Sequence, residues 1–262
     1  MQWMGNNFLS VAKRAALAGA KVIRACTRNG FRVGFKAPRN LVTEADLASQ
    51  EAVRRVLVKA FPGHNLLMEE KLDQDNGSEF TWVVDPVDGT TNFAHGYPMY
   101  AVSIALARGT QSIAGVVYNV PRKELFAAVK GGGAFLNGQR IRVSKVRGLE
   151  HSLLATGFPY KDRACGRKTV KDIGNLWQRA QGIRRSGAAS LDICDVACGR
   201  LDAYWEYKLS PWDVAAGQLI LREAGGKATD FNNKPLTAFS RTVVASNGLI
   251  HARLLRRVEG VK

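Results

Sequence analysis

The 262-residue chain has no apolar run near the roughly 18 residues that a bilayer span requires, because its longest stretches are broken by charge or glycine. Its N-terminus has early Lys13 and Arg14 but no compact apolar core followed by a small-residue cleavage site. No signal peptide is expected, and a cytoplasmic location is. Cysteines are few: Cys26, Cys165, Cys194 and Cys198. Cys194 and Cys198 stand four apart in a helical stretch, but no nearby His or Cys pair completes a metal site, so packed, reduced thiols are expected. Internal repeats, low-complexity segments and obvious linkers are missing too. Acids are scarce, 22 Asp and Glu against 38 Lys and Arg, for a net charge of +16. Such an excess suits nucleic acid or a membrane surface. Yet the basic residues are scattered over 54–55, 140–147, 163–171, 184–185 and 253–257, with no basic tail and no stacked-aromatic module. The charge fits a phosphorylated small molecule equally well.

The length allows one large domain or two intimately packed ones. Phe8, Val11, Ala12, Ala15, Ala18, Val22 and Cys26 recur at spacings of three and four and predict a helix over 8–27. Residues 30–40 read as a loop, and a second helix runs from about Thr43 to the Pro62-Gly63 stop. From Thr81 the period changes. Short β-rich runs separated by Gly, Pro or Asn ("TWVVD", "YAVSIALAR", "SIAGVVYNV", "ELFAAVK", "GAFLNGQRIRVS") predict an antiparallel sheet against those two helices. Past residue 150 strands and helices alternate, with helices around 165–181, 188–198 and 212–224, strands at "SLLATGF", "DAYWEY" and "TVVASN", and a terminal helix. Two halves are expected, 1–145 and 146–262, sharing a wide interface whose cleft is a natural ligand site.

Several carboxylates have ordinary structural explanations when taken singly. Thr43-x-x-Asp46 resembles a capping box. Asp213 opens a helix, where an acid complements the dipole. Glu69-Glu70 follows "NLLM" as a loop pair, and Asp85 with Asp88 suits an Asx turn. Together they say more. Asp85 ends an apolar strand, Pro86 fixes φ, and Gly89 admits close backbone approach. Two acids three residues apart, with the Val87 carbonyl between them, offer the hard oxygens that Mg²⁺ takes. The N–H groups after Gly89 form a phosphate cradle if a helix starts there. His95 reads as loop polarity.

These motifs closely resemble the inositol monophosphatase family. They are Glu69-Glu70, the run from Asp85 to Asn92 ("DPVDGTTN") and "WDVAAG" at 212–217, supported by "LVTEAD", "GAFLNG", "GAAS", "DAYWE" and "REAGG" in family order. The resemblance implies an α+β, or α/β, fold: a layered αβαβα sandwich of the sugar-phosphatase type. It implies two or three Mg²⁺ ions on Glu69, Asp85, Asp88, Asp213 and the Val87 carbonyl. Asp46 and Thr90 are then the catalytic pair that orients and deprotonates water. Asp88, Gly89, Thr90, Ala189 and Glu206 bind substrate, the Gly89 and Thr90 amides taking the phosphate and Ala189 and Glu206 the hydroxyls. Further implications are a homodimer, lithium sensitivity and hydrolysis of inositol 1-phosphate. Fructose 1,6-bisphosphate, histidinol phosphate and 3′-phosphoadenosine 5′-phosphate are alternative substrates, and an RNA-associated regulatory role is the rival from another class. One departure stands out: Met68-Glu69-Glu70-Lys71 replaces the usual Gly-Glu-Glu-Ser, keeping both acids but adding a cation.

Overall fold

The computed structural model describes residues 2–37, 40–70, 73–159 and 162–258. Helices α1 (Gln2–Asn29) and α2 (Glu44–Ala60) flank a hairpin of β1 (Val33–Ala37) and β2 (Asn40–Thr43). The hairpin corrects the loop expected over 30–40. Its two short strands pair only with each other, so cross-strand partners rather than a long alternating pattern define them. The buried stripe of α1 also differs from the expected one in its second half: Ala16, Ala20 and Ile23 are inside, whereas Ala18 and Val22 are half-buried.

A seven-stranded sheet follows in chain order: β3 (Asn65–Met68), β4 (Phe80–Asp88), β5 (Ala101–Arg108), β6 (Gln111–Asn119), β7 (Glu124–Val129), β8 (Gly133–Leu136) and β9 (Gln139–Arg140), with α3 (Thr90–Ala94) between β4 and β5. It is antiparallel as expected, except that "NLLM" is a strand parallel to β4 and not the approach to a loop. A second sheet has the order β11-β10-β12-β14-β13 and is mixed, β10 lying parallel to both of its neighbours. Its strands are β10 (Leu153–Thr156), β11 (Gly182–Arg184), β12 (Ala203–Glu206), β13 (Lys227–Thr229) and β14 (Val243–Ser246). They alternate with α4 (Arg163–Leu176), α5 (Ala189–Ala197), α6 (Pro211–Glu223) and α7 (His251–Leu255).

The pleat assigns each strand residue to a layer. On β4, Trp82 and Val84 join Ile23, Leu57 and Leu106 beneath α1 and α2, while Val83 points the other way onto Leu191 and Ile220 of α5 and α6. Tyr204 and Ala245 of the second sheet close that middle layer, and Leu154 and Trp205 face outward onto Leu176 and Leu254 of α4 and α7. The result is the expected αβαβα sandwich. All four cysteines are free thiols, Cys165 and Cys194 fully buried. Among the described residues, no helix is long and apolar enough to cross a membrane.

Small residues set the spacing of the middle layer. A Cβ added to Gly115 on β6 meets the Ala216 backbone of α6 at 3.1–3.2 Å, and one added to Gly217 meets Ile193 of α5 at 3.0 Å. Backbone cannot yield as a side-chain tip does, so overpacking here costs about 1–3 kcal/mol. Gly115→Val should therefore lower the melting temperature by roughly 2–4 °C per kcal/mol, whereas Gly63→Ala, at a site with open space, should not. Equal melting temperatures for G115V and the parent in thermal denaturation would contradict this packing account.

Candidate active site

The cleft opens where β4 ends and the N-termini of α3, α5 and α6 converge, and it is lined by Glu69, Asp85, Val87, Asp88, Gly89, Thr90, Ala189, Glu206 and Asp213. Every residue expected in the site except Asp46 thus reaches the cleft wall, and Asp46 stands directly behind it, bonded to Thr90.

Strand β4 does not stop at Asp85. Its pairing with β5 is broken between Asp85 and Asp88 and resumes at Asp88 opposite Ala101. Pro86, which has no N–H for a ladder, sits in this irregularity. The Val87 N–H turns back onto Asp85 Oδ1 at 3.0 Å, the Asx turn read in the sequence. Gly89 then adopts φ +94°, where a Cβ would stand 2.8 Å from the Met99 carbonyl, and α3 begins at Thr90. Only glycine fits that corner.

Helix α2 holds the site from behind through three buried polar residues on one face, Asp46, Ser49 and Gln50. Asp46 closes the capping box, its Oδ2 accepting from the Thr43 N–H at 2.8 Å and the Thr43 hydroxyl at 2.5 Å. Its Oδ1 accepts from the Thr90 hydroxyl at 2.8 Å, so one carboxylate caps a helix and reaches the site. The Ser49 hydroxyl donates to the Pro86 carbonyl at 2.9 Å. The Glu70 N–H donates to Gln50 Oε1 at 3.0 Å, which fixes the Glu69-Glu70 turn. Lys71, the departure noted in the sequence, lies outside the described residues.

The acids come from three elements. Asp85, Asp88 and Asp213 each place one carboxylate oxygen within 4.8 Å of the other two. Asp88 is gripped by the start of α5: Ala189 N–H donates to Oδ1 at 3.2 Å, while Ser190 donates to Oδ2 through its N–H at 2.8 Å and its hydroxyl at 2.5 Å. Asp213 opens α6 behind Pro211, and the Ser210 N–H donates to its Oδ2 at 2.7 Å. Its helix-start role was read in the sequence; the bond that aims it was not.

The electrostatics follow from this crowding. Burial, then repulsion from Glu69, Asp88 and Asp213, pushes Asp85 well above the usual carboxylate range. Burial pushes Asp88 up to about 6 against the pull of its Ser190 donors. Asp213 is raised well above its ordinary value by burial and then by Asp88. Asp46 is also raised, mainly by burial, although its Thr43 and Thr90 bonds oppose this. Across the cleft, burial lifts Glu206 to about 7 while the Tyr204 hydroxyl, which donates to Glu206 Oε2, and the charge of Arg185 hold it down.

Several contributors escaped the sequence reading. Ser49, Gln50 and Ser190 look like ordinary helix polarity, and only the tertiary fold brings them to the site. Gly157 lines the cleft where any Cβ would collide with the Glu206 carboxylate, so glycine is what leaves Glu206 its place. Arg185 and Asp192 also line the wall. The acid between Leu191 and Ile193 was the available signal for Asp192. His95 is an exposed C-cap of α3 and is absent from the wall, in keeping with its reading as loop polarity.

The chain has counterparts among known proteins. It matches the family model described as "Inositol monophosphatase family" over residues 5–262. It is 45% identical over 251 residues to an inositol-1-monophosphatase of Synechocystis, covering 94% of this chain and 87% of that one. It is 41% identical over 258 residues to the Nus factor SuhB of Pseudomonas aeruginosa, covering 96% and 95%. The crystal structure of the extragenic suppressor protein SuhB from Bartonella henselae superposes with a TM-score of 0.90 at 38% identity, over 96% of this chain and 98% of that one.

A test of the carboxylate repulsion needs only the metal-free protein. A carboxyl whose folded pKa exceeds its unfolded one binds more protons in the native state, so its contribution to stability falls as pH rises above about 4 and through the folded value. Asp213→Asn removes that loss. In chelator, it should melt higher than the parent at about pH 7.5, by roughly 2–4 °C for each kcal/mol relieved, and the gap should close towards about pH 3.5, below the unfolded pKa, where the carboxyl is neutral in both states. A pH-independent gap, followed by circular dichroism, would rule out the electrostatic cause.

Proposed function

The chain belongs to the inositol monophosphatase family, and from that premise we propose that it hydrolyses a phosphate monoester in this cleft with Mg²⁺, inositol 1-phosphate being the preferred substrate. The observation that carries the reading is the meeting of Asp85, Asp88 and Asp213 beside the hydrogen-bonded Thr90–Asp46 pair.

The donor set fits divalent ions. Asp85 and Asp88 are buried and Asp213 is half-buried, all three are raised by desolvation and by neighbouring carboxylates, and a hard dication among them reverses both effects. We assign Glu69, Asp85, Asp88, Asp213 and the Val87 carbonyl as ligands for two or three ions. When bound, such ions supply Lewis-acid polarisation of a phosphoryl oxygen and make water acidic enough to attack it. The Thr90 hydroxyl has one proton and two acceptors in reach, Asp46 Oδ1 at 2.8 Å and the Val87 carbonyl at 3.1 Å. With that proton directed to Asp46, Thr90 Oγ1 accepts from water and passes a proton on to a carboxylate made more basic by burial. The Gly89 and Thr90 amides at the start of α3 hold the phosphate. Asp88, Ala189 and Glu206 meet the alcohol, the Ala189 N–H already being engaged with Asp88.

Residues 1–145 and 146–262, read as two halves, both contribute, since Asp46, Glu69, Asp85, Asp88 and Thr90 come from the first and Ala189, Glu206 and Asp213 from the second. A cytoplasmic homodimer inhibited by lithium belongs to the same reading. A second role in association with RNA is favoured by the +16 charge and by relatives named Nus factor SuhB.

Turnover of inositol 1-phosphate, fructose 1,6-bisphosphate, histidinol phosphate and 3′-phosphoadenosine 5′-phosphate in one panel decides the substrate. Activity should vanish with chelator and return with Mg²⁺. Asp85→Asn should lower kcat/KM by about 100-fold or more, on the scale of removing a group that stabilises transition-state charge. Hydrolysis by D85N at the parent rate, or full activity in chelator, would overturn the assignment.

A further inference from the structure

Asp192 has no place in the reaction just described, yet it stands in the wall of the same cleft. It lies on α5, one turn beyond Ala188 and Ala189, and all three line the cleft. The rest of that helix is packed inside: Leu191, Ile193, Cys194, Val196 and Ala197 are all buried. Asp192 itself is 1% exposed, and its Oδ1 has no hydrogen-bond partner. The Ser186 side chain bonds the carboxylate. A buried oxygen left unpaired is costly and rare in native structures, so something outside the fold is expected to donate to it.

The surroundings indicate what kind of donor. Glu206, a second acceptor, lines the same wall, with Tyr204 donating to its Oε2. Arg185 is the guanidinium among the lining residues. Two carboxylate acceptors and one cation beside a phosphate site form a surface for neighbouring hydroxyls, which each bring a proton and no charge. We propose that Asp192 is a specificity-determining residue that accepts a hydrogen bond through Oδ1 from a hydroxyl of a polyol phosphate, next to the hydroxyl taken by Glu206. The inference rests on the phosphatase reading of this cleft and adds to it a residue that reads the substrate's hydroxyls.

The experiment compares kcat/KM for inositol 1-phosphate and for p-nitrophenyl phosphate, which has no hydroxyls, in the parent, Asp192→Asn and Asp192→Leu with Mg²⁺ present. The ratio of the two values should fall about tenfold or more in D192L and by less in D192N, which keeps an acceptor oxygen, in line with loss of a buried hydrogen bond. A structural defect would depress both substrates together and leave the ratio unchanged, and so would a carboxylate satisfied by ordered water alone; an unchanged ratio in both variants overturns the proposal. Should D192L fail to fold, D192N with its native shape decides by the same ratio. A parent enzyme that cleaves neither ester refutes the phosphatase reading, and with it this assignment, whereas a parent that cleaves both with an unchanged variant ratio refutes the Asp192 role alone.

Discussion

Mutual repulsion of Asp85, Asp88 and Asp213 is the constraint around which the site is built. Left to themselves, three carboxylates with oxygens inside 4.8 Å would swing apart into water or take up protons. The fold denies them the first course. Each is held by at least one backbone N–H: Val87 on Asp85, Ala189 and Ser190 on Asp88, Ser210 on Asp213. Amide donors suit this task because they add partial positive charge without bringing a mobile cation that could compete for the site. Two of the three grips use the start of a helix, where N–H groups are otherwise left over. The local cost of the cluster is thus offset by unsatisfied donors that α5 and α6 possess in any case.

Position is enforced from the opposite side by α2. Asp46, Ser49 and Gln50 follow the spacing of one helical face, and each ties down a different segment: α3 through Thr90, the β4 irregularity through Pro86, and the Glu69-Glu70 turn through Glu70. A polar stripe inside a buried helix face is expensive unless every member finds a partner. Here each partner is a piece of the cleft, so the stripe makes the site rigid and the site satisfies the stripe. Asp46 concentrates this economy, serving with one oxygen as a helix cap and with the other as the acceptor for Thr90.

Much of this was legible in the residues. The Asp85–Asp88 turn, the glycine corner at Gly89 and the Thr43–Asp46 box follow from local pattern, because each depends on short spacing, whereas the full carboxylate set and the five-layer order follow from the resemblance of the ordered motifs to a known family. What escaped depends on contacts far apart in the chain. Ser190 and Asp88 are separated by 102 positions, and nothing around Ser190 marks it as the donor that aims a distant carboxylate. The parallel placement of β3 beside β4 was hidden for a related reason: three apolar residues before two acids look like a loop approach until a neighbouring strand supplies their hydrogen bonds. Gly157 is legible only once Glu206 is in place, since a glycine kept for the space it leaves has no local signature.

The charge distribution joins the site to the whole molecule. A net +16 surrounds a cleft whose floor is acidic, so the long-range field draws a phosphate ester in while the short-range field repels it. Those two statements are compatible only if the floor is neutralised locally and the excess acts at a distance. The proposed ions do the first; the scattered lysines and arginines, few of them near the floor, do the second. A chain that used its basic residues for both tasks would place them among the carboxylates as fixed ion pairs, and the acids would then be stabilised as charged groups with depressed pKa values. Asp85, Asp88 and Asp213 instead all have raised values. That direction marks a floor that is not already closed by salt bridges of its own.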